Sequence, residues 1–264
     1  MPNRISVLIP SQLQSRSTVE YSGLLIDSAI ESIRLQTVAH PVEFQIIVGI
    51  DAEATIPAKL AADSTLVFAR SGGKSQAAAL NAAAKLIAGE LVAILEDDDQ
   101  WHPQFLRYAL PALAGADFAS STQLEIGPDE AVIRICDFPT PSGWLMKRAT
   151  WEAVGVFNER FRWHPDNEWL ARLGQKGHRR VHLVEATAPT DSEIASKVRP
   201  WLANCLQLGG PSVRLLRHDL PWPLVKRLVH AGSNMKRMST NDAFFLESRT
   251  EIEELVQTYG RVPW

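Results

Sequence analysis

The sequence is poor in cysteine, has no strong excess of charge and contains no long apolar run. Its two cysteines, Cys136 and Cys205, are far apart and lack metal-site spacing, which excludes a disulfide framework and favours a reducing compartment. The formal net charge of -3 gives no electrostatic reason to expect nucleic acid as the main partner. No segment approaches the roughly 20 apolar residues that a membrane-spanning helix needs. The first apolar stretch, residues 5–9, ends at Pro10 and is too short for a secretory signal, so we expect a cytoplasmic protein.

What is present is the composition of an ordinary globular protein. The chain has 264 residues, of which 45% are hydrophobic and 22% are charged, enough for one sizeable α/β domain with a helical appendage. Apolar runs typical of buried strands alternate with amphipathic stretches typical of helices up to about residue 185. This alternation predicts an α/β layered fold with helices packed on a central sheet.

An acidic cluster follows the most apolar of these strands. Residues 91–95 form a short continuous apolar run and four consecutive acids, Glu96 to Asp99, come directly after it. Acids placed there lie at the carboxyl edge of a parallel sheet, where such sheets bind ligands. Because like charges repel, a cation is expected to balance them, and Mg²⁺ or Mn²⁺ suits oxygen ligands best. Glu96 and Asp98, two residues apart on one side of an extended chain, are the predicted metal pair.

A plain structural role for these acids is the alternative interpretation. Carboxylates after a strand also form solvated turns, or cap helices at the positive end of the helix dipole. Asp99 in particular precedes Pro103, near which we expect the next helix to begin. On this interpretation Asp99 is a helix cap and takes no part in metal binding.

The stretch LEDDDQWHP resembles the acidic D-x-D motif of glycosyltransferase family 2, with Glu96 in place of the usual first Asp. A second stretch, VGVFNERF at residues 154–161, resembles the family's Val-Gly-x-Phe-Asp-Glu segment. The resemblance covers about residues 1–190. It implies a GT-A fold, which is a Rossmann-like, mixed and mostly parallel sheet flanked by helices. It also implies a nucleotide-binding half over about residues 1–115 and an acceptor half over 116–190.

The resemblance also assigns roles to residues that would bind the nucleotide sugar. Pro10 opens the nucleotide-binding loop, Asp51 accepts a hydrogen bond from the base of the donor, and Asp97 contacts the ribose. Gly73 and Asn81 resemble a family element that begins at a glycine, ends at an asparagine and sits beside the sugar. A turn-capping Asp51 is the structural alternative, and the loop at residues 70–75 lacks the spacing of a P-loop.

The resemblance places the general base at Asp166. The family has Glu-Asp before an apolar helix that ends in Arg-Leu, and alignment on Arg172-Leu173 puts Asp166 on the Asp and Pro165 on the Glu. An Asp just after a proline is also a common helix N-cap, so a structural role is the alternative. Glu168 is a second candidate base, and we expect a structural role for His164.

The region from residue 191 to 264 is predicted to be a helical C-terminal extension. Helices are expected over residues 192–207, 211–218, 223–231 and 241–259, separated by glycine and proline breaks. This region is basic, which suits an anionic acceptor, lipid headgroups in peripheral membrane contact, or a homo-oligomer surface. A solvated face is the alternative.

Together these features predict an inverting, hexosyltransferase-like enzyme that depends on Mn²⁺ or Mg²⁺. It would move a sugar from a nucleotide-diphosphate sugar, with UDP-sugars favoured, to an acceptor hydroxyl of a glycan, lipid-linked or small-molecule acceptor. A catalytically weakened nucleotide-sugar-binding module is the main alternative. A sugar nucleotidyltransferase is expected to carry a glycine-rich, basic loop after its first strand, and Pro10-Ser11-Gln12 supplies none. A metal-dependent phosphatase or nuclease would need paired His and Asp ligands, which the sequence does not provide.

Overall fold

The computed structural model describes residues 3–17, 22–186 and 213–260. The strands are β1 (Asn3–Pro10), β2 (Ser15–Ser17), β3 (Ser22–Leu24), β4 (Val42–Asp51), β5 (Leu66–Ser71), β6 (Leu91–Ile94), β7 (Gln100–Trp101), β8 (Phe118–Ser121), β9 (Gln123–Ile126), β10 (Val132–Cys136), β11 (Trp144–Lys147), β12 (Arg180–Glu185), β13 (Val213–His218) and β14 (Val225–Leu228). The helices are α1 (Leu25–Arg34), α2 (Ala58–Ala61), α3 (Gln76–Ala84), α4 (Phe105–Ala112), α5 (Arg148–Val154), α6 (Pro165–Gln175), α7 (Asn234–Thr240) and α8 (Asp242–Tyr259).

The central sheet has the strand order β13-β12-β8-β11-β6-β1-β4-β5. Its strands pair in parallel except β11, which runs antiparallel to both β6 and β8. Strand β1 lies between β4 and β6, and its residues from Ile5 to Pro10 are buried, as expected for a strand covered on both faces. The predicted mixed, mostly parallel sheet of an α/β fold is confirmed.

Helices cover both faces of this sheet because alternate strand residues point to opposite sides. Ile5, Val7 and Ile9 of β1 join a core that includes residues of α1 and α4. Leu8 of the same strand joins the opposite core, which contains three closely packed tryptophans, Trp144, Trp151 and Trp169. The two cores hold the strands rigidly and therefore fix where their carboxyl ends lie.

Helix α3 approaches the central sheet unusually closely. A Cβ added to Gly49 of β4 would lie 2.1 Å from the carbonyl oxygen of Ala79, so only glycine fits at this position. The Ser75 side chain accepts a hydrogen bond from the Ala78 N–H at 3.1 Å and caps the helix. The glycine and the cap together place the first turn of α3 beside the carboxyl end of β4.

A second sheet, of order β10-β9-β14-β7, stands next to the first. Strands β9 and β10 pair antiparallel and are joined by the turn at residues 127–131. Strand β14 lies between β9 and β7, parallel to the first and antiparallel to the second. Residues more than a hundred positions apart in sequence thus meet beside the acidic cluster.

Two predicted C-terminal helices are strands. Residues 213–218 pair in parallel with β12, and residues 225–228 form β14. The apolar positions Leu224, Val225 and Leu228 suit a short helix or a short strand equally well, and pairing with distant strands decides the outcome. The predicted helix at residues 241–259 is confirmed as α8, whereas the one at residues 192–207 lies outside the described residues.

Across the described ranges no helix is both long enough and apolar enough to span a bilayer.

Candidate active site

A cavity of about 530 Å³ opens at the carboxyl ends of β1, β4 and β6. Parallel strands bring these ends to one edge of the sheet, as the sequence predicts. Five of the predicted site residues line the cavity: Pro10, Asp51, Glu96, Asp97 and Asp98. The structure therefore brings together the predicted metal pair and three of the predicted nucleotide-binding residues.

Asp97 is bound to the loop that follows β1. The Ser11 hydroxyl donates a hydrogen bond to Asp97 Oδ2 at 2.6 Å. Burial of the carboxyl group, together with the nearby charge of Asp98, raises the pKa of Asp97 to about 7. The Asp97 carboxyl group is thus held at the cavity surface, and its neutral form is favoured more than that of an exposed Asp.

Glu96 is held by polar side chains from two other elements. Its carboxylate accepts a hydrogen bond from the Gln76 amide at the start of α3. Oγ of Ser142 lies 3.3 Å from the other carboxylate oxygen and accepts a hydrogen bond from the Glu96 N–H at 3.1 Å. Burial raises the pKa of Glu96, Arg227 opposes that rise, and Asp98 adds to it. Both oxygens of the Glu96 carboxylate therefore contact polar side chains, and the Gln76 amide fixes one of them.

Asp98 faces an imidazole from the C-terminal region. Nε2 of His230 lies 3.1 Å from Asp98 Oδ2, and both side chains are about one-fifth exposed, at 21% and 19%. A carboxylate oxygen and an imidazole nitrogen thus meet in the cavity. Sequence reasoning missed His230, because the pattern around it carries no local signal of a site.

Asp99 is not a helix cap, so that interpretation is wrong. Helix α4 begins at Phe105, and Asp99 is buried, with 1% of its surface exposed. Its carboxylate accepts hydrogen bonds from the Ser142 hydroxyl at 2.5 Å and from the Leu228 N–H at 3.1 Å. Burial raises its pKa well above the usual value, and the charges of Asp98 and Glu96 add to this effect. Asp99 therefore ties the acidic cluster to β14.

Arg227, on β14, is a cation whose charge acts on the acidic cluster and lowers the pKa values of Glu96 and Asp99. Its side chain lines the cavity and is only 16% exposed. Burial alone would lower the pKa of the guanidinium, but the charges of Glu96, Asp99 and Glu125 outweigh burial and raise it. Arg227 therefore stays charged and offsets the carboxylates around it. The sequence placed Arg227 in a generally basic region and missed its position in the site.

Asp166 lies in the first turn of α6, one residue after Pro165. His164 occupies the N-cap position, so Asp166 is not the cap. Its Oδ1 accepts a hydrogen bond from the Asn167 N–H at 2.9 Å. Burial raises the pKa of Asp166 to about 6, and the charge of Glu96 contributes to the rise. The Asp166 carboxyl does not line the cavity itself, but it lies close enough to Glu96 to be affected by that charge.

The neighbouring candidates Glu168 and His164 make structural contacts. The Glu168 carboxylate accepts hydrogen bonds from Nε of Arg172 at 2.9 Å and from the Tyr259 hydroxyl at 3.1 Å. Nε2 of His164 lies 2.7 Å from the Ser248 hydroxyl, and burial lowers the pKa of His164 to about 4. Both side chains connect α6 or its N-terminus to α8.

Gly73 and Asn81 lie outside the lining of the cavity. The Asn81 amide donates to the Phe157 carbonyl at 3.0 Å and accepts from the Phe157 N–H at 2.8 Å. It also donates to the Glu159 carboxylate at 2.8 Å. Asn81 thus fixes the loop between α5 and α6, while Gly73 precedes Lys74, which does line the cavity.

Within the described residues no group of three or more His, Cys, Asp or Glu side chains is arranged to hold a metal ion by itself. Mg²⁺ and Mn²⁺ bound with a nucleotide commonly use one or two protein ligands and take the rest from phosphates and water. Asp98 and His230 supply one oxygen and one nitrogen donor, which Mn²⁺ accepts. The donor set therefore fits a cation that arrives with a diphosphate.

Comparison with known proteins agrees with this geometry. Residues 22–168 match the family described as Glycosyl transferase family 2. The chain belongs to this family. The match includes the acidic cluster and Asp166, and it supports glycosyltransferase activity in general. A comparison with curated proteins gives no match.

Solved structures of this fold include TarS from S. aureus. The complex of TarS 1–349 with UDP-GlcNAc superposes with a TM-score of 0.56 at 15% identity, covering 96% of this chain and 66% of that one. The complex with UDP gives a TM-score of 0.54 at 12% identity, covering 96% and 70%. Another TarS structure gives 0.54 at 12% identity, and this family 2 chain spans 37% of its length. The likeness shows the GT-A fold.

Proposed function

We propose that this family 2 protein is an inverting, divalent-metal-dependent glycosyltransferase. It moves a sugar from a nucleotide-diphosphate sugar, with a UDP-sugar favoured, to an acceptor hydroxyl. The observation that carries the proposal is the cavity, in which three strand ends bring carboxylates together beside Arg227 and His230. Such a site suits a ligand that carries both a diphosphate with its cation and a sugar.

The proposed donor site uses the edge formed by β1 and β4. Asp51, at the end of β4, would accept a hydrogen bond from the base, and Asp97 would contact the ribose. Pro10 and Gly73 would shape the loops that follow β1 and β5. Asn81 would act indirectly, by fixing the loop between α5 and α6. The bound UDP and UDP-GlcNAc in the TarS structures support a uridine nucleotide as the first ligand to test.

The proposed cation site is formed by Asp98 and His230, with Glu96 held nearby by Gln76 and Ser142. When bound there, Mn²⁺ or Mg²⁺ would neutralise the charge that develops on the nucleoside diphosphate as it leaves. Arg227 remains charged beside Glu96 and limits the repulsion among the acids before any ligand arrives.

Asp166 is the proposed general base. A carboxylate whose pKa is raised to about 6 is a stronger base than an ordinary Asp and is still ionised at neutral pH. It would accept the proton of the acceptor hydroxyl as the oxygen attacks the anomeric carbon. A single displacement by this oxygen inverts the configuration and forms no covalent intermediate with the protein.

Ligand binding is tested by thermal unfolding of the protein with UDP, GDP, dTDP and CDP, each with and without Mn²⁺. We expect one diphosphate to raise the melting temperature, with the increase dependent on Mn²⁺ and reduced in the Asp98→Ala variant. Stabilisation that is independent of the metal would contradict the role of Asp98.

Catalysis is tested with Asp166→Asn, because the Asn side chain keeps an acceptor for the Asn167 N–H. We expect turnover of the nucleotide sugar to fall by about 10²–10⁴-fold while nucleotide-dependent stabilisation is retained. The matched control is Asp242→Asn, which changes an exposed acid in the first turn of α8 and should keep full turnover.

The binding-module alternative draws on the position of the Asp166 carboxyl, which lies outside the cavity lining. If Asp166→Asn and the unmodified protein show the same background turnover while both bind nucleotide, the protein is a binding module. In an enzyme, kcat/KM should instead fall on acidification below about pH 6, where Asp166 becomes protonated.

A further inference from the structure

Two arginines that line the cavity lie around one aromatic ring. The guanidinium carbon of Arg162 is 4.8 Å from the centroid of the Phe244 ring, and that of Arg237 is 5.4 Å from the same centroid. Arg162 Nη1 lies 3.4 Å from a Glu247 carboxylate oxygen, whereas Arg237 has no carboxylate partner in the part of the chain that the structure describes. Arg162 thus has a carboxylate partner and Arg237 has none within the described residues, which leaves positive charge at this place that an anion can offset.

Arg162 is fixed in this position by α8. The Glu251 carboxylate accepts hydrogen bonds from the N–H groups of Arg162 at 2.7 Å and of Trp163 and His164 at 2.9 Å each. The Arg162 guanidinium also lies over the Trp163 ring, at 4.8 Å from its centroid. The segment and its guanidinium are therefore ordered before a ligand binds, which reduces the entropy lost on binding.

The donor does not need Arg162 and Arg237 to neutralise its charge. In the proposed function a cation at Asp98 offsets the diphosphate of the donor, and Arg227 offsets Glu96 and Asp99. Arg162 also precedes α6, the helix that carries Asp166, so it belongs to the side from which the acceptor would approach.

We propose that Arg162 and Arg237 form a phosphate-binding subsite for the acceptor. The acceptor class is then a hydroxyl compound that carries a phosphate close to the reacting hydroxyl. Guanidinium groups bind phosphate oxygens through two parallel N–H donors, which gives both orientation and charge neutralisation. The assignment of this subsite to the acceptor rests on the proposed function, whereas binding of the anion does not.

The test uses the full chain saturated with UDP and Mg²⁺ and titrated calorimetrically with glucose 6-phosphate or with glucose. These probes differ only in the phosphate. We expect glucose 6-phosphate to bind and glucose not to bind. In the double variant Arg162→Gln/Arg237→Gln, affinity for glucose 6-phosphate should fall by about 10-fold or more, while affinity for UDP stays within about 2-fold.

Matched controls are Arg160→Gln and Lys236→Gln, which remove exposed cations from the same two segments without touching the cavity lining. Both should bind glucose 6-phosphate as the unmodified protein does, and melting temperatures verify that each variant is folded. Single variants Arg162→Lys and Arg237→Lys keep the charge and should lose only part of the affinity, because an ammonium group cannot form the paired hydrogen bonds.

Three outcomes would overturn the proposal: no binding of glucose 6-phosphate to the unmodified protein, equal binding to the double variant, or loss of UDP affinity in the double variant. The last result would assign the arginines to the diphosphate of the donor. Failure of the unmodified protein to bind UDP would instead contradict the proposed function, and the same titration without UDP would still measure the phosphate subsite.

Discussion

The two walls of the cavity differ in charge and in construction. The acidic wall consists of the carboxyl ends of β1, β4 and β6 and carries the carboxylates of Asp51 and residues 96–98. Its strands lie in the middle of the central sheet, buried between two layers of helices. The basic wall is formed by residues 227–237, which begin within the four-residue strand β14. It carries Arg227, His230 and Arg237.

Each wall depends on the other for its charge balance. Burial raises the pKa values of Glu96 and Asp99, which means that ionising them costs folding free energy. Arg227 lowers that cost, and the same carboxylates raise the pKa of Arg227 in return. The acidic wall, although its strands are buried in the middle of the sheet, is therefore balanced electrostatically only when a segment more than a hundred residues away completes the cavity.

Replacing Arg227 with Met is the most direct way to break this dependence. The variant keeps the apolar stem and removes the charge, which leaves buried carboxylates uncompensated, so the free energy of unfolding should fall by about 3–5 kcal/mol. Because Glu96 and Asp99 have raised pKa values in the folded protein, the loss should grow as the pH rises from 5 to 8 and they ionise. Urea denaturation at both pH values measures the difference.

The control is Lys226→Met on the same strand, whose ammonium pairs with the exposed Glu130 carboxylate. Removing a partly exposed ion pair should cost less than about 1 kcal/mol at either pH. If Arg227→Met and Lys226→Met lose the same stability, the acidic wall does not depend on Arg227 for its charge balance.

The acidic wall could be predicted from the sequence because its signals are local. A continuous apolar run from residue 91 to 95, followed at once by acids, indicates a central strand and its carboxyl end. The alternation of strands and helices then gives the class of fold and the edge at which Pro10 and Asp51 meet the cluster. The role of Asp166 stays a prediction, as does the division into domains at residue 190.

The basic wall could not be predicted because its structure depends on distant pairing. Residues 225–228 have apolar spacing compatible with a helix, and only their register between β9 and β7 makes them a strand. The position of Arg227 beside Glu96, and of His230 beside Asp98, follows from that register. Asp99 was misassigned for the same reason, since its partner Leu228 belongs to β14.

His230 tests whether the basic wall also holds the cation. If the basic wall supplies a ligand as well as charge, His230→Gln should weaken the dependence of UDP binding on Mn²⁺ by about 10-fold or more, or about 1.4 kcal/mol. Titration of Mn²⁺ at fixed UDP measures this. His178→Gln, which removes an imidazole 3.8 Å from Asp117, is the control, and equal Mn²⁺ affinity in the two variants would limit the basic wall to a role in charge balance.

A smaller loss of stability than in Arg227→Met is expected at Glu251, which fixes the segment that brings Arg162 to the cavity. Glu251→Gln keeps one acceptor oxygen but loses the charge that three backbone N–H groups share, so the free energy of unfolding should fall by about 1–2 kcal/mol. Glu254→Gln, on the same helix, loses only an exposed pair with Arg160 at 3.2 Å and should change stability by less than about 0.5 kcal/mol. Urea denaturation of both variants gives the comparison. Equal losses would mean that α8 is held by general packing, in which case the order of the Arg162 segment does not depend on the Glu251 carboxylate.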